Sequence, residues 1–503
     1  MRVLLVNTNR MQPPIAPIGL DYVAEALDRA GHEVALLDLC FAEDVEATID
    51  QALRHESYSL IACSIRNTDD CYFASQDFFI PEVRRTLDLI RARTDAPMVL
   101  GGVGFSILPE AILAALCPKD TTEERLYGIW GEGEWALPEL ARRLEAKENI
   151  STLPGLVSAP AAIPDVHSPI SILHPPRILR NSPYFLDLAT LPPRRRAFVD
   201  NPRYFREGGQ SGFETKRGCD QPCIYCADPV AKSRRVRLRP PEAVALEVEA
   251  LLAQGIDHLH TCDSEFNLPE VHAKEVCKAL RERGLGDRIR WYAYCTPMPF
   301  SDELAGWMKR AGCVGIDFGV DHGDDGMLQR LGRNFRATDL LETARLCRKH
   351  GLVFMFDLLL GGPGETPETL RRAIELMRRA EPDRVGLSIG VRIYPGTPLA
   401  RRLLRESITP DHPALFGQVA DNPDFLAPIF YVEPPLGQGI FELVGTLVGE
   451  DERFFFADPT KADRNYNYNA NEVLREAIRR GARGAYWDIL RKSRLHSTTA
   501  FSV

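Results

Sequence analysis

No stretch of this 503-residue chain approaches the ~18 consecutive apolar residues of a membrane-spanning helix. The N-terminus, Met1-Arg-Val-Leu-Leu-Val-Asn7, lacks the layout of a signal peptide and reads as a strand. The protein is therefore expected in the cytoplasm, with no membrane partner. A long basic run is also missing. The net charge is −9, and the densest cationic stretch, Arg194-Arg195-Arg196, reads as a solvated linker feature. That balance argues against a nucleic-acid partner. Neither glycine-rich loop of the N-terminal region matches G-x-G-x-x-G or the P-loop, so a nucleotide gripped through its phosphates is not favoured.

Twelve cysteines are present. Cys40, Cys63, Cys71, Cys117, Cys262, Cys277, Cys295, Cys313 and Cys347 mostly sit in apolar patterns and read as free buried thiols. Cys71, beside a polar loop, and Cys262, beside an acidic one, are the exceptions. The remaining three stand in Phe213-Glu-Thr-Lys-Arg-Gly-Cys219-Asp-Gln-Pro-Cys223-Ile-Tyr-Cys226. Three thiolates in one short turned loop can hold three corners of an iron–sulfur cube and leave the fourth iron open. Structural zinc is the alternative, but zinc sites usually pair two C-x-x-C hooks. Here one hook and an offset cysteine occur without a nearby histidine.

Residues 3–145 alternate short apolar runs, at Val3–Val6, Glu33–Leu37, Leu60–Ile65, Met98–Leu100 and Leu126–Trp130, with amphipathic helical segments. That rhythm predicts an α/β, doubly wound, Rossmann-like domain over 1–145, with ligands at the carboxyl ends of its strands. The loops there include Asn7-Thr-Asn9, Ser64-Ile-Arg66-Asn67-Thr-Asp-Asp70, Gly101-Gly102-Val-Gly104-Phe-Ser106 and Gly131-Glu132-Gly133-Glu134. Nine prolines in 146–195 mark a linker, taken as 146–204. The βα rhythm returns over 205–405, with strands at Phe213–Lys216, His258–Thr261, Ile289–Tyr294, Val314–Gly319, Val353–Leu360 and Arg384–Ile389. Barrel logic again places the chemistry at strand C-termini. The tail, 406–503, is less regular and reads as an α-rich capping or substrate domain. Its Asn465-Tyr-Asn-Tyr-Asn469 stretch suits either substrate recognition or closure of the barrel's open side.

The spacing C-x3-C-x2-C, with Tyr225 just before the third cysteine, resembles the signature of the radical SAM superfamily. The upstream loops, in their order, resemble the cobalamin-binding domain of one large branch of it. The resemblance implies a partial (β/α)6 barrel and three cofactors: a [4Fe–4S] cluster on Cys219, Cys223 and Cys226, S-adenosyl-L-methionine (SAM) on its open iron, and cobalamin. It implies SAM contacts from Tyr225, Asp263, Glu265, Asp321, Gly362, Gly364 and Arg392. Cobalamin contacts are implied at Asn9, Arg66, Asn67, Gly101, Gly102, Ser106, Gly131, Glu132 and Gly133.

The D-x-H-x-x-G motif that supplies a histidine to cobalt elsewhere is absent, and His32 and His55, the only histidines of 1–145, read as surface turn residues. Arg66 is the first candidate to pack under cobalt, with a surface salt bridge as its alternative. Glu265 is either a further polar contact or a ligand to the open iron.

The implied activity is methyl transfer from SAM, through methylcobalamin, to an unreactive carbon of a small molecule or peptide, with an external electron donor. The transfer is radical, or polar as in tryptophan 2-C-methyltransferases, with Tyr292, Tyr294, Asp357 and Tyr394 as candidate bases. A cobalamin-dependent cyclase or ring-rearranging enzyme and a non-catalytic cobalamin or redox sensor are the rivals.

Overall fold

The computed structural model describes residues 1–117, 126–158, 178–406, 412–457 and 465–499, with no side-chain placement beyond 493. Two sheets dominate it. The first contains β1 (Arg2–Asn7), β2 (Glu33–Asp38), β3 (Leu60–Ser64), β4 (Met98–Gly101), β5 (Leu126–Ile129), β6 (Leu156–Ser158) and β7 (Leu179–Arg180), in the order β2-β1-β3-β4-β5-β6-β7. Its strands β1 to β5 run parallel. Along β1 the side chains alternate: Val3 and Leu5 enter the core on one face, Leu4 and Val6 the core on the other. Helices therefore cover both faces, as a parallel sheet requires.

Next in chain order come β8 (Ser211–Phe213), then β9 (Lys216–Arg217) and β10 (Arg237–Leu238), which pair antiparallel. The second sheet joins β8 to β11 (His258–Thr261), β12 (Arg290–Cys295), β13 (Cys313–Asp321), β14 (Val353–Leu360) and β15 (Arg384–Ile389) as an open parallel barrel wall. Among the described residues the tail is α-rich as expected, with helices over Ile440–Val448, Glu472–Arg479 and Tyr486–Thr499, and it also carries short strands. After β16 (Val391–Arg392), β17 (Leu415–Gly417) and β18 (Ile429–Tyr431) form a three-stranded antiparallel sheet with it, and β19 (Phe454–Phe456) extends the barrel wall beside β15. Three successive phenylalanines make a short strand whose first and second rings are fully buried.

The barrel wall has an apolar outer face and a polar lumen. Ile316, Phe318 and Val320 of β13 and Phe354, Phe356 and Leu358 of β14 join the outer core. The alternate positions, including His260, Tyr294, Asp317, Gly319, Asp357 and Gly386, therefore turn inward.

Of the triple arginine, Arg194 and Arg196 are buried rather than solvated, and Arg195 stays half exposed. Arg196 is 1% exposed. It donates from Nε to Asp21 at 2.9 Å and from Nη1 to Glu247 at 2.9 Å and to the Gly212 carbonyl at 2.8 Å. Arg239 and the Tyr22 hydroxyl also donate to Glu247, at 2.5 and 2.7 Å. Arg194 is buried against Glu134. Asp21, Tyr22 and Glu134 belong to the first sheet's helices and Gly212, Arg239 and Glu247 to the barrel, so Arg196 locks the two together. His32 is likewise buried rather than in a surface turn, its Nδ1 3.2 Å from the N-terminal amine.

Arg196→Met leaves Asp21 and Glu247 short of a partner in a dry site, and we expect it to lower unfolding stability by ~3–5 kcal/mol. Arg195→Ala, at a side chain 49% exposed, should cost under ~1 kcal/mol. Chemical denaturation of both variants checks the contrast.

Candidate active site

The carboxyl ends of the two sheets flank an open cleft of about 1660 Å³. From the first sheet it is lined by Arg66, Gly101, Gly102, Ser106, Gly131, Glu132 and Gly133, and from the barrel side by Lys216, Arg217, Cys262 and Ser264, among others. Gly102 is required by geometry: its φ is +98°, and a Cβ there would stand 2.5 Å from the Ile65 carbonyl oxygen. At Gly101 a Cβ would meet nothing closer than the Ile129 carbonyl oxygen at 3.9 Å. The Ser106 hydroxyl accepts from the Gly131 amide at 3.1 Å, tying the two glycine loops together.

The G-E-G-E loop divides its labour. Its glycines and Glu132 line the cleft, and the Glu132 carboxylate accepts from Arg237 at 2.6 Å and from the Leu186 amide at 2.6 Å. Its carboxylate is thus spent on the seam rather than on a ligand. Glu134 accepts from Arg217 at 2.6 Å. Burial alone would raise the pKa of Glu134, but Arg217 and Arg194 outweigh it and hold the carboxyl at about 2. Asn9 and Asn67 line a separate cavity of about 510 Å³ with Met11 and Asn469, and Arg66 reaches both spaces. Arg66 Nη1 lies 3.6 Å from the Met11 sulfur. Its positive charge also acts on Tyr294 in the barrel.

The cysteine loop follows β8. Gly218 precedes Cys219 with φ +90°, and a Cβ there would collide with the Arg235 carbonyl oxygen, so the turn demands glycine. Arg333 reaches the loop, donating from Nη1 to Cys223 Sγ at 2.9 Å, and also bonds the Gly319 carbonyl. It lies 3.5 Å from Asp321 and 3.8 Å from Glu265, while the Tyr225 hydroxyl donates to Asp321 at 2.6 Å. Three cysteines, Tyr225, Glu265, Asp321 and Arg333 thus share one neighbourhood. Burial pushes the Glu265 carboxyl up to about 7 against the pull of Arg333. Among the described residues no three ligating side chains converge on one ion-sized point. A mononuclear zinc site needs such convergence, whereas a cube binds one thiolate per iron.

Other expected contacts have different partners. Asp263 accepts from the Thr215 amide at 2.8 Å, the Thr215 hydroxyl at 2.5 Å and the Lys216 amide at 3.2 Å. It braces the start of the cysteine loop and is not free for a SAM ammonium. Arg392 donates to Asp69 at 2.9 Å and stacks over Tyr394, clasping the barrel to the loop after β3. The Tyr394 hydroxyl contacts Cys71 Sγ at 2.9 Å in the same seam. The Tyr292 hydroxyl donates to Asp488 at 2.7 Å, buried beneath Gly315 and Gly484. Tyr394 and Tyr292 are thereby removed from the candidate bases. Gly362 and Gly364 lie in the turn after β14, where Gly364 N–H donates to Glu433 at 2.8 Å. Tyr294 and Asp357 face the lumen.

Two family models match the chain: "B12 binding domain" over residues 5–141 and "Radical SAM superfamily" over residues 213–377. A tryptophan 2-C-methyltransferase from Streptomyces laurentii is 34% identical, the match covering 80% of this chain and 74% of that one. The chain belongs to the cobalamin-dependent radical SAM methyltransferases. A solved relative, the methyltransferase TsrM of Kitasatospora setae with tryptophan substrate and a SAM analogue bound, is 30% identical, with TM-score 0.88 over 99% of both chains. The cobalamin-dependent SAM radical enzyme OxsB, 16% identical with TM-score 0.69 over 99% of this chain and 75% of that one, shares the fold.

The methyltransferase therefore works with a [4Fe–4S] cluster, SAM and cobalamin, and the residues present fit all three. The cleft is large and glycine-floored, and the cysteine loop opens toward the lumen with Arg333 beside its thiols. Sequence reading missed Arg333, Asp317 and His260. An aspartate between Ile316 and Phe318, in the middle of a buried strand, was the available signal for Asp317.

A Cβ at position 101 meets no atom closer than 3.9 Å, and Gly101 lines the cleft, so a larger side chain there takes cleft volume. Gly101→Leu is expected to weaken hydroxocobalamin uptake at least tenfold, by visible absorption, while the iron–sulfur band persists. Cys219→Ala should do the reverse: after anaerobic reconstitution the band is lost and cobalamin uptake remains.

Proposed function

We propose that the methyltransferase acts on C2 of tryptophan, or of a close indole amino acid, by polar transfer. The full-length likeness to the tryptophan-bound relative carries this reading. The net reaction balances without an oxidant: SAM and tryptophan give S-adenosylhomocysteine, 2-methyltryptophan and a proton, the new C–C bond replacing the C2–H bond. When bound, cobalamin relays the methyl group between SAM and substrate, and the cluster holds SAM; an external electron donor keeps the cofactors in their reduced state.

In this reading Cys219, Cys223 and Cys226 hold the cluster, and Glu265 reaches the iron they leave open. A carboxylate there competes with the chelation of SAM that reductive cleavage needs, which favours methyl donation over radical formation. Tyr225 and Asp321, hydrogen-bonded to each other, flank the SAM position with Gly362 and Gly364. Gly101, Gly102, Gly131 and Gly133 would let cobalamin approach the backbone, and Arg66, which lines both spaces, would stand beside it as a cation rather than as a ligand to its metal. Tyr294, 46% exposed toward the lumen, offers its ring and hydroxyl to the indole. Burial raises its pKa, so it serves as a neutral hydrogen-bonding group that orients the substrate.

Anaerobically reconstituted enzyme with SAM, cobalamin, reductant and tryptophan should give S-adenosylhomocysteine and a methylated product in equal amounts, without stoichiometric 5′-deoxyadenosine. Replacement of one hydrogen by one methyl makes that product about 14 Da heavier than tryptophan, which mass spectrometry reads directly. Glu265→Gln should raise the 5′-deoxyadenosine yield and lower methylation at least tenfold. Stoichiometric 5′-deoxyadenosine from the unaltered enzyme would sink the polar route.

A further inference from the structure

Two aspartates meet in the lumen, and among the described residues no cationic side chain pairs with either. Asp317 of β13, 4% exposed, and Asp357 of β14 lie within hydrogen-bonding reach of each other, and Oδ1 of each lacks a donor from the protein. Such a pair shares one proton and keeps one negative charge. Tyr466 offers Asp357 a hydrogen bond but brings no charge. The charged side chains acting on the pair, Glu265 and Asp321, are themselves acidic. Retaining a buried negative charge without a cation is costly, so the charge calls for a partner from outside the chain.

Space and neighbours agree. Asp357 is in register with Gly319 on one side and Gly386 on the other; its Oδ1 packs with Tyr466 against Gly386, so the open side is that of Gly319. A Cβ at Gly319 would meet nothing nearer than Arg333 Nη2 at 3.9 Å and Glu265 Oε1 at 4.0 Å, which leaves room between the acid pair and the cysteine loop. Tyr294 stands on the neighbouring strand with His260 against its ring at 4.5 Å. The Tyr468 hydroxyl, near enough to feel both aspartates, is buried without a partner.

We propose that the Asp317–Asp357 pair is the seat of a substrate ammonium group, with the Tyr468 hydroxyl as a second polar contact. The proposal rests on the indole amino-acid reading and gives its α-amino group a place. It makes Asp357 a binding residue and not the base expected from sequence.

The test uses holoenzyme loaded with cobalamin and cluster, titrated calorimetrically with tryptophan, tryptamine and indole-3-propionate, which lacks the ammonium. Tryptophan and tryptamine should bind at least tenfold more tightly than indole-3-propionate. Asp357→Asn and Asp317→Asn, checked for unchanged cobalamin uptake, should erase that preference and raise KM for tryptophan at least tenfold, with kcat within about threefold. Equal binding of all three ligands by the unaltered enzyme overturns the proposal, as does a loss of kcat at unchanged KM in Asp357→Asn. Tryptamine binding without methylation of tryptophan sinks the substrate reading and leaves the ammonium seat standing. Binding of none of the three overturns both.

Discussion

Buried arginine–carboxylate pairing between the two sheets is the constraint on which the rest depends. Arg196 joins Asp21 to Glu247, Arg237 seizes Glu132, and Arg217 with Arg194 seizes Glu134, all away from bulk water. Exposed pairs of this kind would contribute little. Here each charge has been desolvated, so losing one partner strands another, and the pairs act as a register lock more than as a source of net stability. That lock fixes the carboxyl ends of both sheets face to face across the cleft. Chemistry that passes a methyl group between two large cofactors depends on such fixed distances.

The lock shares its residues with the cleft wall. In Gly131-Glu132-Gly133-Glu134 the glycines line the open space while the glutamates hold arginines of the barrel side and linker. A second clasp lies across the molecule, where Asp69 holds Arg392 and Asp70 holds Asn467. Cleft and seam are therefore one structure: altering a loop glutamate moves the glycines beside it.

What sequence alone revealed follows from how local each signal is. The cysteine loop, the glycine turns and the βα rhythm are written in neighbouring residues, and the expected strands overlap the observed ones, although the first barrel strand ends at Phe213, where it was expected to begin. Arg196 was misread because its partners lie 175 and 51 residues away, and a run of three arginines carries no sign of burial. Asp263 and Arg392 were given to SAM and Tyr292 and Tyr394 to base catalysis, whereas their hydrogen bonds go to Thr215, Asp69, Asp488 and Cys71. Strand-end position predicts where a side chain sits; only the fold shows which partner reaches it first. Glu132 lines the cleft beside Gly131 and Gly133, but its carboxylate is held by Arg237 and the Leu186 amide, which lie 105 and 54 residues away.

The tail stretch Asn465–Asn469 bears on what the lumen can admit. It threads between the sheets with alternating sides: Asn467 Nδ2 donates to Asp70 at 2.8 Å and Asn469 accepts from the Gln12 amide at 3.3 Å, on the first sheet's side. Tyr466 and Tyr468 turn the other way, Tyr466 packing on Phe455 with ring centroids 4.8 Å apart and both tyrosines facing the acid pair. The period of two is that of an extended strand. A peptide substrate would have to displace this strap and break its hydrogen bonds to both sides. A free amino acid requires no such displacement, and that asymmetry favours a small substrate over a peptide.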